Sequence, residues 1–422
     1  MQPSIFMSAA LACAIGLAGC SGGASAPSGA PPTVPTTVPT TVPQAAFPAT
    51  LSAFPVTLSA FPVNSTSVAV CVKPAKGSGT AACKSKVKPP VKAIPIGTNP
   101  TLFPGYAPVH LQAMFGLSNL SANAGAGRTV AIVTAYVDQN LASDLAVYRA
   151  AFSLPPCSVA NHCLSINIPT GNAVADAGWA AETALDTEMV SAICPACNIA
   201  LFEAKSAQIS DLATAVDQAA ATNPSAISNS YSADETQQVD AYAGHYFHPN
   251  MAVVVAAGDD GYGPNFPAVA ANVVAVGGIS MPQRSDGSFG PPTVWTESAS
   301  GCSSYIPKPA WQSDAGCAFR THNDVAALAD PNTGVMGYST QDAGWNVYGG
   351  TSIATPMIAS MYTLGGNVAG MQGASALYSN HKGLYYITGS DGTCSPAYLC
   401  TGAPGYNGPI GEGVPYGLSA FQ

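Results

Sequence analysis

The residues with the clearest capacity for chemistry lie in the stretch Gly349–Pro356, which reads GGTSIATP. Its two glycines allow a tight turn and a close approach of the backbone to a ligand. The apolar run that follows, residues 357–362, predicts a buried helix. Ser352 would then lie at a helix start, where free N–H groups and the helix dipole stabilise developing negative charge. Ser352 is therefore a candidate nucleophile, and the alternative is that it only caps the helix.

A nucleophilic serine needs a general base, and the histidines do not supply an obvious one. None of the six lies in a sequence context typical of histidine-dependent serine peptidases: His110, His162, His245, His248, His322 and His381. Two carboxylates offer another base, because Glu182 and Asp186 are four residues apart and would share one helix face. Their like charges would keep one of them protonated. The alternative is a solvated acidic helix face.

A third candidate follows an apolar run of strand type. Residues 253–258 read VVVAAG and lead into Asp259. Asp259 would lie at the carboxyl end of a buried strand, where open α/β sheets place their ligands. A protonated acid at this point could donate a hydrogen bond to an oxyanion. The alternative is an Asx turn, which the sequence Asp-Asp-Gly favours by itself.

The three elements together resemble the sedolisin family, the serine-carboxyl peptidases with a subtilisin-like fold. In that family a Glu and an Asp four apart on a helix, an oxyanion Asp and a serine in a Gly-Thr-Ser-x-x-x-Pro turn occur in this order. The roles that the resemblance implies are base for Glu182, orienting partner for Asp186, oxyanion acid for Asp259 and nucleophile for Ser352. Further matches extend from about residue 104 to the C-terminus, at 129–136, 272–278, 309–312 and 330–334.

The resemblance implies a serine-type endopeptidase that hydrolyses peptide bonds of proteins at acidic pH through an acyl-enzyme on Ser352. Its partners would be protein or peptide substrates, and we expect a monomer. Because Asp259 would have to be protonated, activity should fade as the pH rises towards neutral. The alternative is a catalytically weak or inactive relative that acts as a surface binding or interaction protein.

The order of elements also predicts the fold class. Short apolar strands alternate with helices from Thr129 onward, which indicates an α/β fold with a mainly parallel sheet covered on both faces. The resemblance implies a subtilisin-like three-layer sandwich of this kind. Strands are predicted at 129–133, 199–202, 226–228, 252–256 and 273–276, and helices at 143–152, around 182–186 and at 209–216.

The C-terminal region departs from the family pattern. Relatives build a calcium site from two aspartates and backbone carbonyls, and the resemblance places the corresponding positions at Tyr386, Ile387, Ala403, Gly405 and Asn407. Tyr386 and Asn407 stand where the family has Asp. Because a hard cation prefers carboxylate oxygens, we expect a weak or absent calcium site and no other cofactor.

The N-terminal residues 1–20 are expected to be an export segment, too short to span a bilayer as a helix. The residues Leu17-Ala18-Gly19-Cys20 look like a bacterial lipoprotein cleavage site with Cys20 lipidated. The alternative is an ordinary secretory signal, and either predicts a protein of the cell envelope or the exterior, in membrane contact only through a possible lipid anchor. Residues 21–64 are predicted to be a Pro/Thr-rich linker or stalk, or alternatively a glycosylated or disordered spacer.

Residues 65–103 form a small Lys-rich segment between this linker and the expected peptidase domain, residues 104–422. Cys71 and Cys83 predict a disulfide-closed hairpin. Its lysines could contact an anionic surface, and the alternative is a solvated loop. With no interleaved aromatic residues, the segment does not indicate nucleic-acid binding. Sedolisin-like enzymes are usually made with a large folded pro-domain, for which this upstream stretch is too short, so the route of activation is open.

Cysteine and charge patterns fit an exported protein. Beyond the signal region, ten cysteines fall into close-spaced pairs, for which local disulfides are the simplest interpretation: Cys71/Cys83, Cys157/Cys163, Cys194/Cys197, Cys302/Cys317 and Cys394/Cys400. All 22 acidic residues lie beyond residue 137. Residues 104–422 therefore carry a net charge of −15. In acid these carboxylates are protonated and few cations remain to repel one another, which suits a protein that works at low pH.

Overall fold

The computed structural model describes residues 44–48, 62–168, 174–284 and 286–422, which fall in one compact unit. The predicted export segment 1–20 lies outside the described residues, as does the linker 21–64 except for 44–48 and 62–64. Within the described ranges, no helix is long and apolar enough to cross a membrane.

The helices are mostly short, and two long ones lie in the interior. The α-helices are α1 (Pro108–Met114), α2 (Leu141–Ala151), α3 (Ala177–Ile193), α4 (Ile209–Ala221), α5 (Gln237–Asp240), α6 (Thr351–Gly365) and α7 (Ser375–Ser379). Single 3-10 turns occur at Pro100–Leu102, Ala243–Tyr246, Pro331–Thr333, Ala397–Leu399 and Ser419–Phe421.

The strands build one large sheet and several small ones. They are β1 (Val68–Ala69), β2 (Ala82–Cys83), β3 (Lys86–Lys88), β4 (Thr129–Ala135), β5 (Leu164–Asn167), β6 (Asn198–Ala204), β7 (Ala226–Asn229), β8 (Tyr231–Asp234), β9 (Ala252–Ala256), β10 (Asn265–Phe266), β11 (Val274–Ser280), β12 (Thr293–Val294), β13 (Gly301–Pro307), β14 (Phe319–His322), β15 (Val325–Leu328), β16 (Val335–Ser339), β17 (Gly344–Gly349), β18 (Leu384–Tyr385), β19 (Gly389–Ser390), β20 (Thr401–Gly402) and β21 (Val414–Pro415).

The central sheet has eight strands in the order β12-β11-β9-β7-β4-β6-β5, with β15 also paired to β11. Every pairing in it is parallel except that of β12 with β11. Side chains alternate along β4, so that Val130 and Ile132 join one apolar core while Ala131 and Val133 join a second. The first core includes α3 and α6 and the second includes α4. The predicted three-layer α/β sandwich with a mainly parallel sheet is therefore confirmed.

The predicted elements are present with shifted boundaries: several strands and α4 extend beyond the predicted ranges, and α2 begins earlier. α2 begins at Leu141 with Asn140 in the N-cap position, two residues before the predicted cap, Ser143. The Ser143 hydroxyl instead donates to the Asn140 carbonyl at 2.7 Å. The five predicted local disulfides are all present.

Two segments near the N-terminus pack against the main body more closely than the sequence suggested. Phe47, within the predicted linker, is buried against the rings of Tyr385 and Tyr416. In the segment predicted to be a disulfide-closed hairpin, β1 pairs antiparallel with β3 and the Cys71–Cys83 disulfide closes the intervening loop. The segment is not isolated, because β2 also pairs with β8 and β3 with β17, both in the main body. The alternative of a solvated loop is wrong for Lys84 and Lys88, since both are buried. Pairing with distant strands left no local signal in the sequence.

Candidate active site

Helix α3 carries the first two candidate residues into the interior. Asp176 caps the helix by accepting a hydrogen bond from the Trp179 N–H at 3.0 Å. The helix is buried continuously from Trp179 to Ile193, and Glu182 and Asp186 are both fully buried. The alternative of a solvated acidic face is therefore excluded, and these carboxyls lie one turn apart in an apolar layer.

Helix α6 positions Ser352. Gly350 precedes the helix with φ of +96°, a left-handed conformation that favours glycine, and Ser352 is the second helical residue. Pro356, four residues later, has no N–H to donate to the Ser352 carbonyl. The Ser230 hydroxyl oxygen lies 3.4 Å from that carbonyl oxygen. The Ser352 hydroxyl donates to the Ser230 carbonyl at 3.1 Å, so its side chain does not cap the helix.

Asp259 follows β9 and is tied to the start of α6. Its Oδ1 accepts from the backbone N–H and the hydroxyl of Thr351 at 2.9 and 2.8 Å. The Thr351 hydroxyl also accepts from the Gly258 N–H at 3.1 Å. The carboxyl of Asp259 is thus held beside the first turn of α6 by contacts across 92 residues, rather than by the local Asx turn that was the alternative.

Ser230 connects the two carboxyls of α3 to Ser352, and the sequence analysis did not identify it. Its hydroxyl donates to Asp186 Oδ1 at 2.6 Å, while its carbonyl accepts from the Ser352 hydroxyl. The available signal was positional: Ser230 directly follows β7, and β7 lies beside β9 in the same parallel sheet. The carboxyl ends of neighbouring parallel strands meet at one sheet edge, where ligands bind.

Burial dominates the electrostatics of the site. It raises the pKa of Glu182, and the nearby hydroxyls of Ser352 and Ser85 oppose this rise. Neither Glu182 oxygen has a hydrogen-bond partner among the described residues, and the two hydroxyls are its close polar neighbours. The pKa of Asp186 is raised by burial and by the charge of Glu182. For Asp259, burial raises the pKa to about 6 against the opposing charge of Lys84.

The backbone carbonyl of Lys84 lies against the first turn of α6. The Ser352 N–H donates to the Lys84 carbonyl at 2.9 Å. A Cβ placed on Gly350 would collide with both this carbonyl oxygen and Asp259 Oδ2, so the two oxygens flank the same small space. Ser352 is fully buried. The structure therefore brings together the four predicted residues and adds Ser230 and Lys84.

The residues at the family's calcium positions do not fit a cation. The Asn407 amide donates through Nδ2 to the Ala403 and Gly405 carbonyls at 2.9 and 3.1 Å. Those carbonyls are the type of oxygen that would coordinate calcium, and here an N–H group already uses them. The backbone of Tyr386 pairs with residues 45 and 47. No cluster of three or more metal-binding side chains occurs in the described part of the chain.

This chain is similar to known proteins in part of its sequence and in its fold. Residues 172–369, which include all four candidate residues, match the Subtilase family. Sedolisin from Pseudomonas sp. (strain 101) is 31% identical over 113 residues, an alignment that covers 24% of this chain and 19% of that relative. The aligned part is thus about a fifth of the relative's length. A solved structure of Pseudomonas sedolisin, a serine-carboxyl proteinase in complex with pseudo-iodotyrostatin, covers 74% of this chain and 95% of its own, with a TM-score of 0.63 and 23% identity.

The described architecture and the structural match show that this chain has the subtilisin fold, and part of its sequence is similar to sedolisin. The similarity to the solved structure concerns the fold alone. The Subtilase match covers the part of the chain that contains Glu182, Asp186, Asp259 and Ser352.

Proposed function

We propose that this protein is a serine-carboxyl endopeptidase that hydrolyses peptide bonds of proteins in acid. The observation that carries the proposal is the convergence of three elements at one sheet edge. α6 presents Ser352, α3 presents the Glu182–Asp186 pair, and β9 presents Asp259 bound to Thr351. A hydroxyl, a carboxyl pair and a protonatable acid at a helix start are the parts that acyl transfer needs.

In the proposed mechanism Glu182 accepts the Ser352 proton as Ser352 attacks the substrate carbonyl. A carboxylate is a weak base in water, and burial beside a second carboxyl raises the pKa of the pair so that it can hold the proton. The Ser230 hydroxyl holds the Asp186 carboxyl in place through its 2.6 Å hydrogen bond. Asp186 thereby orients Glu182, and the two carboxyls share one proton during turnover.

Asp259 and the Ser352 N–H stabilise the tetrahedral oxyanion in this scheme. A protonated Asp259 donates through the oxygen not bound by Thr351, beside the N-terminus of α6. The leaving amine takes its proton from Glu182. Water then attacks the acyl-enzyme on Ser352, returning the hydroxyl and releasing the new carboxylate.

The pH dependence of hydrolysis tests this function. Donation by Asp259 requires its protonated form, and the pKa of Asp259 is about 6. We expect fragments of an unfolded protein substrate to form fastest in acid, and the rate to fall about tenfold per pH unit well above pH 6. Mass spectrometry of digests from pH 3 to 8 measures this profile. A rate that rises through neutral pH would contradict the role of Asp259.

A binding or interaction protein is the second candidate, and one observation favours it. Ser352 is fully buried, so an external substrate cannot reach it without movement of the residues that cover it. Folded protein that cleaves no substrate at any pH, including after acid treatment, would support this candidate.

We also propose that the calcium site of the family is lost. The Asn407 amide and the Ala403 and Gly405 carbonyls satisfy one another. We expect the melting temperature to change by less than about 1 °C on addition of EDTA or of millimolar calcium, because a ligand without a site shifts no equilibrium. Differential scanning calorimetry measures this, and a rise in melting temperature that follows calcium concentration would overturn the proposal.

The proposed function also implies a cellular location and a domain organisation for this protein. Five disulfides favour an oxidising compartment. We therefore place the protein outside the cytoplasm of a bacterium, with residues 1–20 as the export segment, a stalk after them, a possible lipid anchor at Cys20, and a monomeric peptidase domain.

A further inference from the structure

Three copies of the sequence Ala-Phe-Pro lie upstream of the main body at a regular spacing. They occur at residues 46–48, 53–55 and 60–62, seven residues apart. A chain that only spans a distance needs no large aromatic side chain at a fixed interval. The structure describes the first copy in full, so it shows what this motif binds.

Phe47 of the first copy fills a pocket in the C-terminal region, here called the Phe pocket. Phe47 is 5% exposed. Its ring meets the rings of Tyr385 and Tyr416 edge to face, with centroids 6.1 and 6.0 Å away. The neighbouring Ala45 and Ala46 are exposed. The Phe47 ring is therefore the apolar anchor of this segment.

The backbone beside Phe47 is added to the body as a short strand. The Phe47 N–H donates to the Tyr386 carbonyl at 3.1 Å, and the Tyr386 N–H donates to the Ala45 carbonyl at 3.1 Å. Ala46 lies between these two bonds, opposite Tyr386 in a parallel bridge. Neither bond uses the nitrogen of Pro48, which has no hydrogen to donate. Strand addition of this kind is open to every copy of the motif.

Gln44 makes contacts that distinguish the first copy from the others. Its Oε1 accepts from the Gly405 N–H at 2.9 Å, and its Nε2 donates to the Glu412 carbonyl at 2.5 Å. The residues at the same place before the second and third phenylalanines are Leu51 and Leu58. Because leucine cannot make these hydrogen bonds, the first copy should bind most tightly, and another copy would bind through its ring and backbone alone.

The end of the third copy is bound elsewhere on the body. The Pro62 carbonyl accepts from the Val91 N–H at 2.8 Å, and Val63 forms a bridge with Pro90. Phe61 directly precedes Pro62, so its copy could reach the Phe pocket only if these contacts broke. The second copy lies seven residues farther from this attachment, and it is the better alternative ligand.

We propose that the Phe pocket is a binding site for Ala-Phe-Pro segments, with residues 46–48 as its first ligand and residues 53–55 as its second. The two copies exchange in this one pocket, and the exchange does not depend on peptide hydrolysis. It moves the point at which the upstream chain is held by seven residues, or about 22 Å in polyproline II geometry. The site thereby sets the length of chain that separates the body from whatever the N-terminal residues are attached to.

Thermal melting of full-length variants tests the exchange. Phe54→Ala should change the melting temperature by less than about 1 °C, because the first copy stays bound. Phe47→Ala should lower it by about 2 °C, because the second copy supplies a ring and the same backbone bonds. The double variant should lower it by about 6 °C, the size expected when a buried phenylalanine is lost without replacement. This loss exceeds the sum of the two single effects.

Phe61→Ala is the matched control, because it changes the same motif in the copy that is attached at Pro62. Its effect on the melting temperature should be the same in wild type and in Phe47→Ala.

A disulfide trap locates the second copy directly. Ala46 and Tyr386 are paired, and neighbouring strands lie about 4.8 Å apart, close enough for a disulfide between cysteines at these positions. Ala53→Cys combined with Tyr386→Cys should therefore form a disulfide whenever the second copy is bound. Mild oxidation followed by peptide mapping measures the yield of this bridge.

Two further changes should increase the yield of the trap at least fivefold. They are Gln44→Leu and Phe47→Ala, which remove the side-chain contacts of the first copy. Ser52→Cys in place of Ala53→Cys is the control, because a cysteine one residue out of register points to the other face of the strand. It should give the lowest yield.

Three results would overturn the inference. Melting losses of Phe47→Ala and Phe54→Ala that simply add would show that the second copy does not replace the first. A bridge from position 53 to position 386 that is no more frequent than the out-of-register control would show the same. A bridge between two molecules, seen as a doubled mass, would assign the pocket to the motif of a second copy and exclude exchange within one chain.

Discussion

Replacing Ser352 by alanine is expected to lower peptide hydrolysis by roughly a thousandfold or more, the size seen when a nucleophile is removed from an acyl-transfer site. The variant loses the oxygen that forms the acyl bond, whereas the Glu182–Asp186 pair and Asp259 remain in place. Fold should be preserved, because the lost hydroxyl makes one neutral hydrogen bond, to the Ser230 carbonyl, worth about 1 kcal/mol.

The measurement is kcat/KM for an unfolded protein or peptide at pH 4, alongside circular dichroism and thermal melting. Ser360→Ala is the matched control, since Ser360 is a buried serine on the same helix whose hydroxyl has no hydrogen-bond partner among the described residues. It should keep full activity. If Ser352→Ala cleaves the substrate as fast as wild type, Ser352 is not the nucleophile.

The protein is expected to be markedly more stable in acid than at neutral or alkaline pH. Buried carboxyls away from Ser352 have raised pKa values, and burial is the first cause in each case. The pKa is about 6 for Asp138, about 7 for Glu203 and Asp240, about 8 for Glu412, and well above the usual value for Glu188. A group whose pKa is raised by folding stabilises the folded state fully below its unfolded pKa, near 4, and this contribution is lost as the pH rises through the folded pKa.

Two histidines act in the opposite direction. Burial lowers the pKa of His110 and His322 to about 4, so their contribution to stability is lost as the pH falls from about 6.5 towards 4. The carboxyls outnumber them and have shifts of similar size. We expect the free energy of unfolding to be on the order of 5 kcal/mol larger at pH 4 than at pH 8, and the melting temperature to be roughly 10 °C higher.

Thermal melting from pH 3 to 9 measures this dependence, and substitution assigns it to residues. Glu412→Gln should flatten the slope between pH 5 and 8, because a neutral amide no longer has to ionise. Asp286→Asn, which changes an exposed carboxyl, is the control that should leave this slope unchanged. A protein that melts at a higher temperature at pH 8 than at pH 4 contradicts the account.

Much of the fold and part of the site could be predicted from the sequence because their signals are local. Buried parallel strands such as β9 are short apolar runs, and the spacing of Glu182 and Asp186 fixes them on one helix face. The glycines before Ser352 indicate a turn into a helix. Each of these features depends on residues that are close together in the sequence.

The remaining features arise from contacts between distant parts of the chain. Ser230 bonds to Asp186 across 44 residues, and the Lys84 carbonyl meets the Ser352 N–H across 268 residues. A lysine-rich stretch between two cysteines resembles a solvated loop in sequence. Only the pairing of β2 with β8 and of β3 with β17 places it across the cleft. The packing of Phe47 against Tyr385 and Tyr416 could not be predicted for the same reason.

The central claim is that Ser352 forms an acyl-enzyme, and the most direct measurement is to trap it. Wild type is mixed at pH 4 with a slowly hydrolysed peptide nitrophenyl ester, quenched with stronger acid during turnover, digested and mapped by tandem mass spectrometry. The account predicts the acyl group on Ser352 in wild type and none on Ser352→Ala. Turnover of the ester with an unmodified Ser352, or with the acyl group on another residue, would contradict it.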